Sequence, residues 1–462
     1  MDSFVDLMQL IASNVWIYGV TFLIILSILV FVHEWGHYIV ARLCGVKVEA
    51  FSIGFGKELF GWTDKHGTRW KFALIPLGGY VKMFGDADPA SAHHKEGVES
   101  ADGEVRAFSA NERSVAFFAK PVWQRALIVF AGPGINFLFA IAVLAVLYCS
   151  VGKPITPPIA SAIEIGGSAD LAGIQPHDEI LRIDGKDIIS FDDVRRSVML
   201  ALDTPLVFDI KRGDKDMSVT VTPKKMVEED RFGFSHEKGY LGLIGPANGL
   251  DITKIKKVGK VDVAGKPEKA RKELLAHMDK VVDIELDRGA DSAVIRVMPP
   301  KELNSHLSEP DSKEYNALVL GVRPGDALIK YNPATGTVQA VVATWDIIRD
   351  TLKAIGQMVT GTRSASELGG IIRIGALAGD MAERGFIALA TFTALLSINL
   401  GLINLFPVPM LDGGHLMFYA IEAAKGKPLS ERVQEYAFRF GLVVLVALMV
   451  FANLNDILHL IL

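Results

Sequence analysis

The sequence predicts an α-helical membrane protein with four transmembrane helices, a membrane-associated β-hairpin or sheet, and an α+β segment outside the bilayer. Half of its 462 residues are apolar, and the mean hydropathy is positive at +0.31. Four apolar stretches are long enough to cross a bilayer, which requires about 20 helical residues. The net charge of −5 argues against nucleic-acid binding and excludes little else.

The four predicted spans differ in how clearly they are bounded. They cover about 17–40, 126–151, 386–406 and 440–460. The fourth is the weakest, because Asn453, Asn455 and Asp456 interrupt it near one end. The first is not predicted to be a removed signal peptide, because the leader before it contains no Lys or Arg.

The positions of Lys and Arg near the span ends predict the orientation. Basic residues follow the first span, flank the second and separate the third from the fourth, as shown by Arg42, Lys47, Lys57, Lys65, Arg69, Lys71, Lys82, Arg113, Lys120, Arg125, Lys425, Lys427, Arg432 and Arg439. We expect these segments inside, and both termini and residues 152–385 outside. Cys44 and Cys149 then lie on opposite faces, so no disulfide between them is expected.

The first span ends in His33-Glu34-Trp35-Gly36-His37. Charged groups in the middle of a bilayer cost about 2.5–3.5 kcal/mol each, so their presence in an apolar helix indicates a function. Positions i and i+4 share one face of a helix, so His33 and His37 can hold one zinc at about 2.0–2.1 Å. Glu34 can reach the water that such a metal activates, as general base. The alternative is a chance occurrence of the pattern.

The predicted topology places a third ligand close to these histidines. The first and third spans both run from outside to inside, and the third is followed by a Pro- and Gly-rich apolar stretch that contains Asp412. Two histidines and one carboxylate leave the fourth zinc position open, as catalysis requires. His415 is a rival ligand, and an ordinary turn or N-cap aspartate is the other interpretation of Asp412.

Six motifs in this chain resemble the site-2 protease family of intramembrane zinc metallopeptidases, in its bacterial regulator-of-sigma-E protease type. They are residues 33–37, 51–56, 76–82, 131–137, 404–409 and 411–415. The resemblance implies zinc held by His33, His37 and Asp412, with Glu34 as catalytic base. It also implies cleavage of single-span membrane proteins within the bilayer, after another protease has removed their outer domain.

The same resemblance predicts partners and location. Its known substrates are anti-sigma factors and remnant signal peptides, and no nucleic acid is involved. We therefore expect a multi-pass protein of the bacterial inner membrane, embedded in the lipid bilayer, with its active site near the cytoplasmic face and residues 152–385 in the periplasm.

Two asparagines within the motifs invite an interpretation. Asn404 carries an amide that could hold an extended substrate backbone or stabilise the developing oxyanion, and a helix-packing hydrogen bond is the alternative. Asn136 follows Gly132-Pro133-Gly134 in the second span and is interpreted as a packing and bending element near the site.

Residues 46–83 alternate short apolar and polar runs and contain six glycines, which predicts glycine-broken strands at the inner membrane surface. An exposed edge there could pair with an unwound substrate, and Gly78–Met83 is the predicted edge. The alternative is a plain hairpin without substrate contact. The polar stretch Asp86–Val105 is predicted to be a mobile inner loop.

The outer segment opens with residues 165–185, which resemble a PDZ domain. Strands are predicted over Leu206–Arg212 and Ser218–Pro223, with Gly213-Asp214 in the turn between them. PDZ domains bind peptides by adding a strand, so this domain would sense the trimmed substrate or block access sterically. Residues 320–329 echo the PDZ turn, so a second divergent PDZ-like domain or an insertion follows.

Thr344–Val359 is amphipathic and predicts an interfacial helix on the outer membrane face, with a buried domain helix as the alternative. Beyond it the chain departs from the family, which usually has Gly-Pro where this sequence has Gly370-Ile371. That departure leaves the predicted metal site unchanged and removes any basis for assigning a function to this loop.

The membrane part is predicted to consist of a first helix with the histidine motif over 1–41, an inner sheet and loop over 42–121, a second helix over 122–151, and two final helices over 386–462. The part between the second and third spans is predicted to consist of a PDZ domain over 152–246, a divergent second PDZ-like domain or insertion over 247–343, and an interfacial helix and loop over 344–385. The competing class is a non-catalytic PDZ-bearing membrane scaffold, and a transporter is a third. Both predict no zinc and no dependence on Glu34.

Overall fold

The computed structural model describes residues 16–85, 98–99, 105–106, 108–229, 235–287, 292–308, 316–322 and 328–461. The N-terminal tail, the greater part of the predicted inner loop over 86–105, and residues 323–327 of the echoed PDZ turn lie outside the described residues.

The helices of the described chain are α1 (Thr21–Leu43), α2 (Ala110–Val115), α3 (Val122–Ser150), α4 (Ser168–Leu171), α5 (Phe191–Met199), α6 (Pro267–Ala276), α7 (Pro333–Val359), α8 (Ile371–Glu383), α9 (Phe386–Asn404), α10 (Asp412–Lys425) and α11 (Glu431–Ile461). A short π-helical turn, Trp16–Val20, precedes α1.

The strands of the described chain are β1 (Val48–Thr63), β2 (Arg69–Met83), β3 (Val98–Glu99), β4 (Val105–Arg106), β5 (Lys153–Pro154), β6 (Ala162–Glu164), β7 (Glu179–Ile183), β8 (Lys186–Asp187), β9 (Leu206–Arg212), β10 (Lys215–Val221), β11 (Lys224–Glu229), β12 (Ser235–Tyr240), β13 (Leu243–Ile244), β14 (Gly249–Asp251), β15 (Ile255–Val258), β16 (Val261–Asp262), β17 (Val282–Asp287), β18 (Ser292–Val297), β19 (Ala317–Val319) and β20 (Leu328–Ile329).

Four helices in the described chain are long and apolar enough to cross a membrane, which confirms the predicted number of spans. They run over Tyr18–Leu43, Val122–Ser150, Phe386–Asn404 and Arg432–Leu458. The last helix is continuous through Asn453, Asn455 and Asp456, as the predicted fourth span over 440–460 requires. Two of these three polar residues accept hydrogen bonds from backbone N–H groups at the start of α8.

The departure from Gly-Pro at Gly370-Ile371 lies at this contact. The backbone N–H groups of Gly370 and Arg373 donate to Oδ2 of Asp456 at 2.9 and 3.0 Å, and that of Ile371 donates to Oδ1 of Asn453 at 3.2 Å. A proline at position 371 has no N–H to give. In this chain α11 therefore accepts a hydrogen bond from the N–H of Ile371, and a proline at that position could not donate it.

The membrane core is built around α3, which contacts α1, α7, α9 and α10. Small residues allow the close approach of these helices, as is common where lipid surrounds the interface. A Cβ added at Gly36 would lie 2.3 Å from the backbone oxygen of Ala131, so α1 and α3 touch through their backbones at the histidine motif. This contact brings the second span against the predicted site.

Strands β1 and β2 form the predicted sheet, which packs against the part of this core that carries the histidine motif. Phe51 is paired with Trp70 on one side and with Val81 on the other, so residues 50–53 lie between residues 69–72 and residues 79–83. Glycines at positive φ, such as Gly54, accommodate the sharp bend of β1. Residues 79–83 therefore form an outer edge that no further strand of the described chain covers.

The outer segment contains two hydrophobic cores, each with its own sheet. One sheet has the strand order β10-β9-β7-β8, and the other has the order β13-β6-β18-β17-β15-β16. The hairpin β9–β10 matches the predicted one, with a strand that begins three positions earlier, at Lys215 instead of Ser218.

The predicted boundary between residues 246 and 247 does not separate these two sheets. Strands β6 and β13 precede that boundary, yet both belong to the six-stranded sheet of the following segment. Because neighbouring side chains of a strand point to opposite faces, Ile163 packs into the first core and Ala162 into the second. The two modules share a strand, which a division along the sequence cannot represent.

Helix α7 begins at Pro333 instead of Thr344, so the predicted boundary at 343/344 falls inside a helix. The side chain of Asn332 caps the first turn by accepting from the N–H of Thr335 at 2.9 Å. The first turns of α7 bury small residues such as Gly336 and Ala340. Because these residues have low hydropathy, the sequence shows no apolar helical period from which the start of the helix could be predicted. One face packs on the membrane core, while Trp345 and Val359 remain exposed on the other.

Candidate metal centre

Helix α1 places both histidines of the motif on one face. His37 is 8% exposed and His33 is half-buried, and their Nε2 atoms lie 3.2 Å apart. The helical rise of one turn between positions i and i+4 is the physical reason for this proximity. The predicted pairing of the two imidazoles is therefore present in the structure.

Asp412 reaches the same place from the other end of the chain. The third span ends at Asn404, and the loop from Leu405 to Leu411 turns the chain back so that Asp412 is the first residue of α10. A Cβ added at Gly413 would lie 2.2 Å from the backbone oxygen of Leu405, so this turn needs glycine. The helix N-terminus also favours a carboxylate at this position.

The three side chains converge. Nε2 of His33 lies 3.2 Å from Oδ2 of Asp412, and Nε2 of His37 lies 3.5 Å from Oδ1 of Asp412. Two ligands bound about 2.0–2.1 Å from zinc at the tetrahedral angle lie about 3.3–3.4 Å apart. The observed separations match the edges of such a tetrahedron, so this donor set fits a zinc ion with one position left open.

Helix α3 orients both imidazoles from behind. Nδ1 of His37 lies 2.9 Å from the backbone oxygen of Ile128 and donates its proton there when Nε2 binds a metal. Nδ1 of His33 lies 3.1 Å from the amide Nδ2 of Asn136. Asn136, predicted to be a packing and bending element near the site, therefore also contacts one of the predicted ligands, which was not predicted. A single amide side chain in the middle of an apolar span was the available signal.

Gly132 leaves room for the ligands. A Cβ at this position would lie 2.2 Å from Nε2 of His37, which is the atom that faces Asp412. We therefore expect Gly132→Ala to weaken zinc binding by about tenfold or more, measured by competition with a chromophoric chelator. Gly134→Ala is the matched control, because its Cβ would meet the ring of Phe130 at 3.3 Å, and a side chain can move. Equal zinc affinity in the two variants would contradict this.

A cavity of about 210 Å³ opens onto the three ligands. Its lining includes Glu34, Met410, His415 and the Gly79–Val81 part of β2. His415 thus faces the cavity, but the cluster of mutually close donor atoms found among the described residues consists of His33, His37 and Asp412. Asn404 is half-buried at the end of α9 and is not one of the described residues that line this cavity.

Glu34 lies between the histidines and the free edge of β2. A Cβ added at Gly79 would be 3.1 Å from Cγ of Glu34, and the backbone N–H of Val81 hydrogen-bonds to the carboxylate. The predicted base therefore lies in the cavity beside the ligands, with an oxygen directed at an extended segment. This arrangement can place a proton acceptor next to a peptide backbone.

Comparison with known proteins gives a consistent result. The model of peptidase family M50 matches residues 21–448. The chain is 36% identical to Protease RseP of Yersinia pestis, with 94% of this chain and 97% of that protein aligned. It is 34% identical to the regulator of sigma E protease of Haemophilus influenzae, with 97% and 100% aligned. It is 36% identical to an Agrobacterium fabrum protein named as a zinc metalloprotease, with 95% of each aligned.

Proposed function

This chain belongs to peptidase family M50 and is a zinc metalloprotease, and on that premise we propose that it cuts single-span membrane proteins within their transmembrane segments. One observation carries the proposal. His33, His37 and Asp412 converge in a cavity that also contains Glu34, and α1, which supplies two of these ligands, is one of the apolar spans. A peptide bond that reaches this cavity would be cleaved at membrane depth.

We assign His33, His37 and Asp412 as the zinc ligands. Zinc, when bound there, acts as a Lewis acid that polarises the scissile carbonyl and activates a water molecule. The three protein groups fix the ion and leave a position on the cavity side. The separations of 3.2 to 3.5 Å among their donor atoms support this assignment.

Glu34 acts as the general base and then as the general acid. Its carboxylate takes a proton from the attacking water as the new C–O bond forms, and delivers that proton to the amine as the C–N bond breaks. Asn404 is the second catalytic candidate, with its amide holding the substrate backbone or the oxyanion. It is the last residue of α9, and the loop that follows it leads directly to Asp412 at the start of α10, which supports this role.

The substrate must present an extended backbone, because a helix hides its own peptide bonds. The edge formed by residues 79–83 offers main-chain groups to such a segment, and it borders the cavity beside Glu34. Pairing through main-chain hydrogen bonds would accept many sequences. This fits substrates of the kind implied by the family resemblance, namely anti-sigma factors and remnant signal peptides.

The outer modules act on the substrate before it enters the membrane core. We assign the module with the strand order β10-β9-β7-β8 as a PDZ domain and the module with the six-stranded sheet as a divergent PDZ-like domain, with β6 contributing side chains to both cores. The basic segments near the span ends support a topology with both modules in the periplasm of a bacterial inner membrane protein and the zinc site near the cytoplasmic face. Arg196 of the first module pairs with Asp346 and Asp350 of α7, so the module sits on the membrane core.

The test uses the purified full chain in proteoliposomes, together with a single-span substrate. Cleavage is expected to stop when 1,10-phenanthroline removes the metal and to return when zinc is added to the chelator-free protein. Mass spectrometry is expected to place both new termini inside the apolar segment. Cleavage by the zinc-free protein, or a cut outside the apolar segment, would contradict the proposal. A non-catalytic scaffold predicts an unchanged substrate length throughout.

A further inference from the structure

Asn136 is fully buried in α3 and its amide is only partly used. Nδ2 lies 3.1 Å from Nδ1 of His33, whereas Oδ1 is buried and has no hydrogen-bond partner among the described residues. The backbone oxygen of Asn136 accepts a hydrogen bond from Oγ of Ser397 at 2.9 Å, which fixes this turn of α3 against α9. The side chain is thus held rigidly behind one zinc ligand.

The protonation of the two histidines creates a requirement at this position. A histidine that binds a metal through Nε2 carries its proton on Nδ1, and that proton needs an acceptor. For His37 the acceptor is the backbone oxygen of Ile128 at 2.9 Å. For His33 the polar group within reach is the amide of Asn136. If Nδ2 of Asn136 faced that proton, two hydrogen-bond donors would point at each other and the Nδ1 proton of His33 would have no acceptor.

We propose that Asn136 is a positioning residue for the metal centre, whose Oδ1 accepts the Nδ1 proton of His33 when zinc is bound. A half-turn of the amide exchanges Oδ1 and Nδ2 with almost no change in shape, and so places the unpartnered acceptor at the 3.1 Å contact. This bond fixes the tautomer and the ring plane of His33. Asn136 then holds His33 by its Nδ1 atom, as the backbone oxygen of Ile128 holds His37.

The bond is expected to raise zinc affinity. Groups that hold a metal-binding histidine by its second nitrogen typically change metal affinity by about 10–100-fold when they are removed. The inference rests on the proposed zinc site, yet it can fail independently of it. If the unmodified chain binds no zinc, the proposed site fails; if it binds zinc and the Asn136 variants bind equally well, only this inference fails.

The test measures zinc affinity in detergent-purified full chain, by chelator competition, and the visible spectrum of the cobalt-substituted protein. Asn136→Leu keeps the number and branching of the side-chain heavy atoms and removes the acceptor, so it is expected to weaken zinc binding by about 10–100-fold and to alter the cobalt bands. Asn136→Asp keeps an acceptor and is expected to retain most of the affinity. Gly134→Ala changes the same stretch of α3 without reaching the ligands, so it is the packing control and is expected to leave zinc affinity unchanged.

The order of the variants separates the two roles of the residue. If Asn136 acts only by packing, the apolar Leu variant should bind zinc as well as the unmodified chain, and the Asp variant should be the worse of the two. That order would overturn the proposal. If the Asp variant does not fold, the comparison of the Leu variant with the unmodified chain still tests the proposal. Unchanged zinc affinity and an unchanged cobalt spectrum in the Leu variant would contradict the proposed role of Asn136.

Discussion

Replacing Glu34 by Gln is expected to reduce cleavage of a single-span substrate by about 10²–10⁴-fold, the usual contribution of a general base. Glutamine has nearly the same shape but cannot accept the proton of the attacking water. The carboxylate lies in the cavity beside the ligands and is not one of the three converging donors, so zinc should remain bound. Single-turnover cleavage in proteoliposomes and zinc content by mass spectrometry measure the two quantities.

The control for this variant is Glu435→Gln, which removes another carboxylate. Glu435 is on α11, where it pairs with Arg439 at 2.5 Å; Arg439 is exposed and Glu435 is half-buried. Cleavage and zinc content should both be unchanged. Undiminished cleavage by the Glu34 variant would remove the residue from the mechanism, and loss of zinc from that variant would show that Glu34 is a ligand.

Asp412→Ala is expected to abolish measurable cleavage and to lower zinc occupancy at chelator concentrations that leave the unmodified chain loaded. Its two oxygens face Nε2 of both histidines at 3.2 and 3.5 Å, so the variant leaves only two protein ligands. Removal of a direct ligand should cost more than the 10–100-fold typical of an outer contact. Zinc stoichiometry after graded chelation is the measurement.

His415→Gln is the matched control, because His415 lines the same cavity from the same helix and was the rival ligand in the sequence. This variant should retain zinc under conditions where Asp412→Ala loses it. The reverse result, with zinc lost from the His415 variant and kept by the Asp412 variant, would exchange the two assignments. Loss from both would require a site with a fourth protein ligand.

The sequence predicted the elements of the membrane core well because their signals are local. An apolar run of sufficient length must be a helix in lipid, since no water is present to satisfy its backbone groups. The histidine pair followed from helical period alone. The bounds were less accurate: the second span begins at Val122, before the predicted Ala126, and the fourth begins at Arg432, before the predicted Phe440.

Most of the errors concern contacts between distant parts of the chain. The shared strand β6 was missed because its three residues resemble any short strand, and only pairing with β13 and β18 reveals its sheet. The early start of α7 was missed because Gly336, Ala340 and Ala343 pack by being small, and small residues carry little hydropathy. A short stretch of sequence shows neither which strands pair nor which small residues pack against another helix.

Local sequence pattern was enough to predict the chemistry: two imidazoles one helical turn apart, a neighbouring carboxylate and enough apolar length to keep them in lipid. The tertiary structure alone decided how close Asp412 comes and which nitrogen of each imidazole faces it. It also placed Asn136 behind His33, 103 positions away in the chain. The reason is physical: spacing along a helix is fixed by backbone geometry, whereas contacts between helices depend on the packing of all their neighbours.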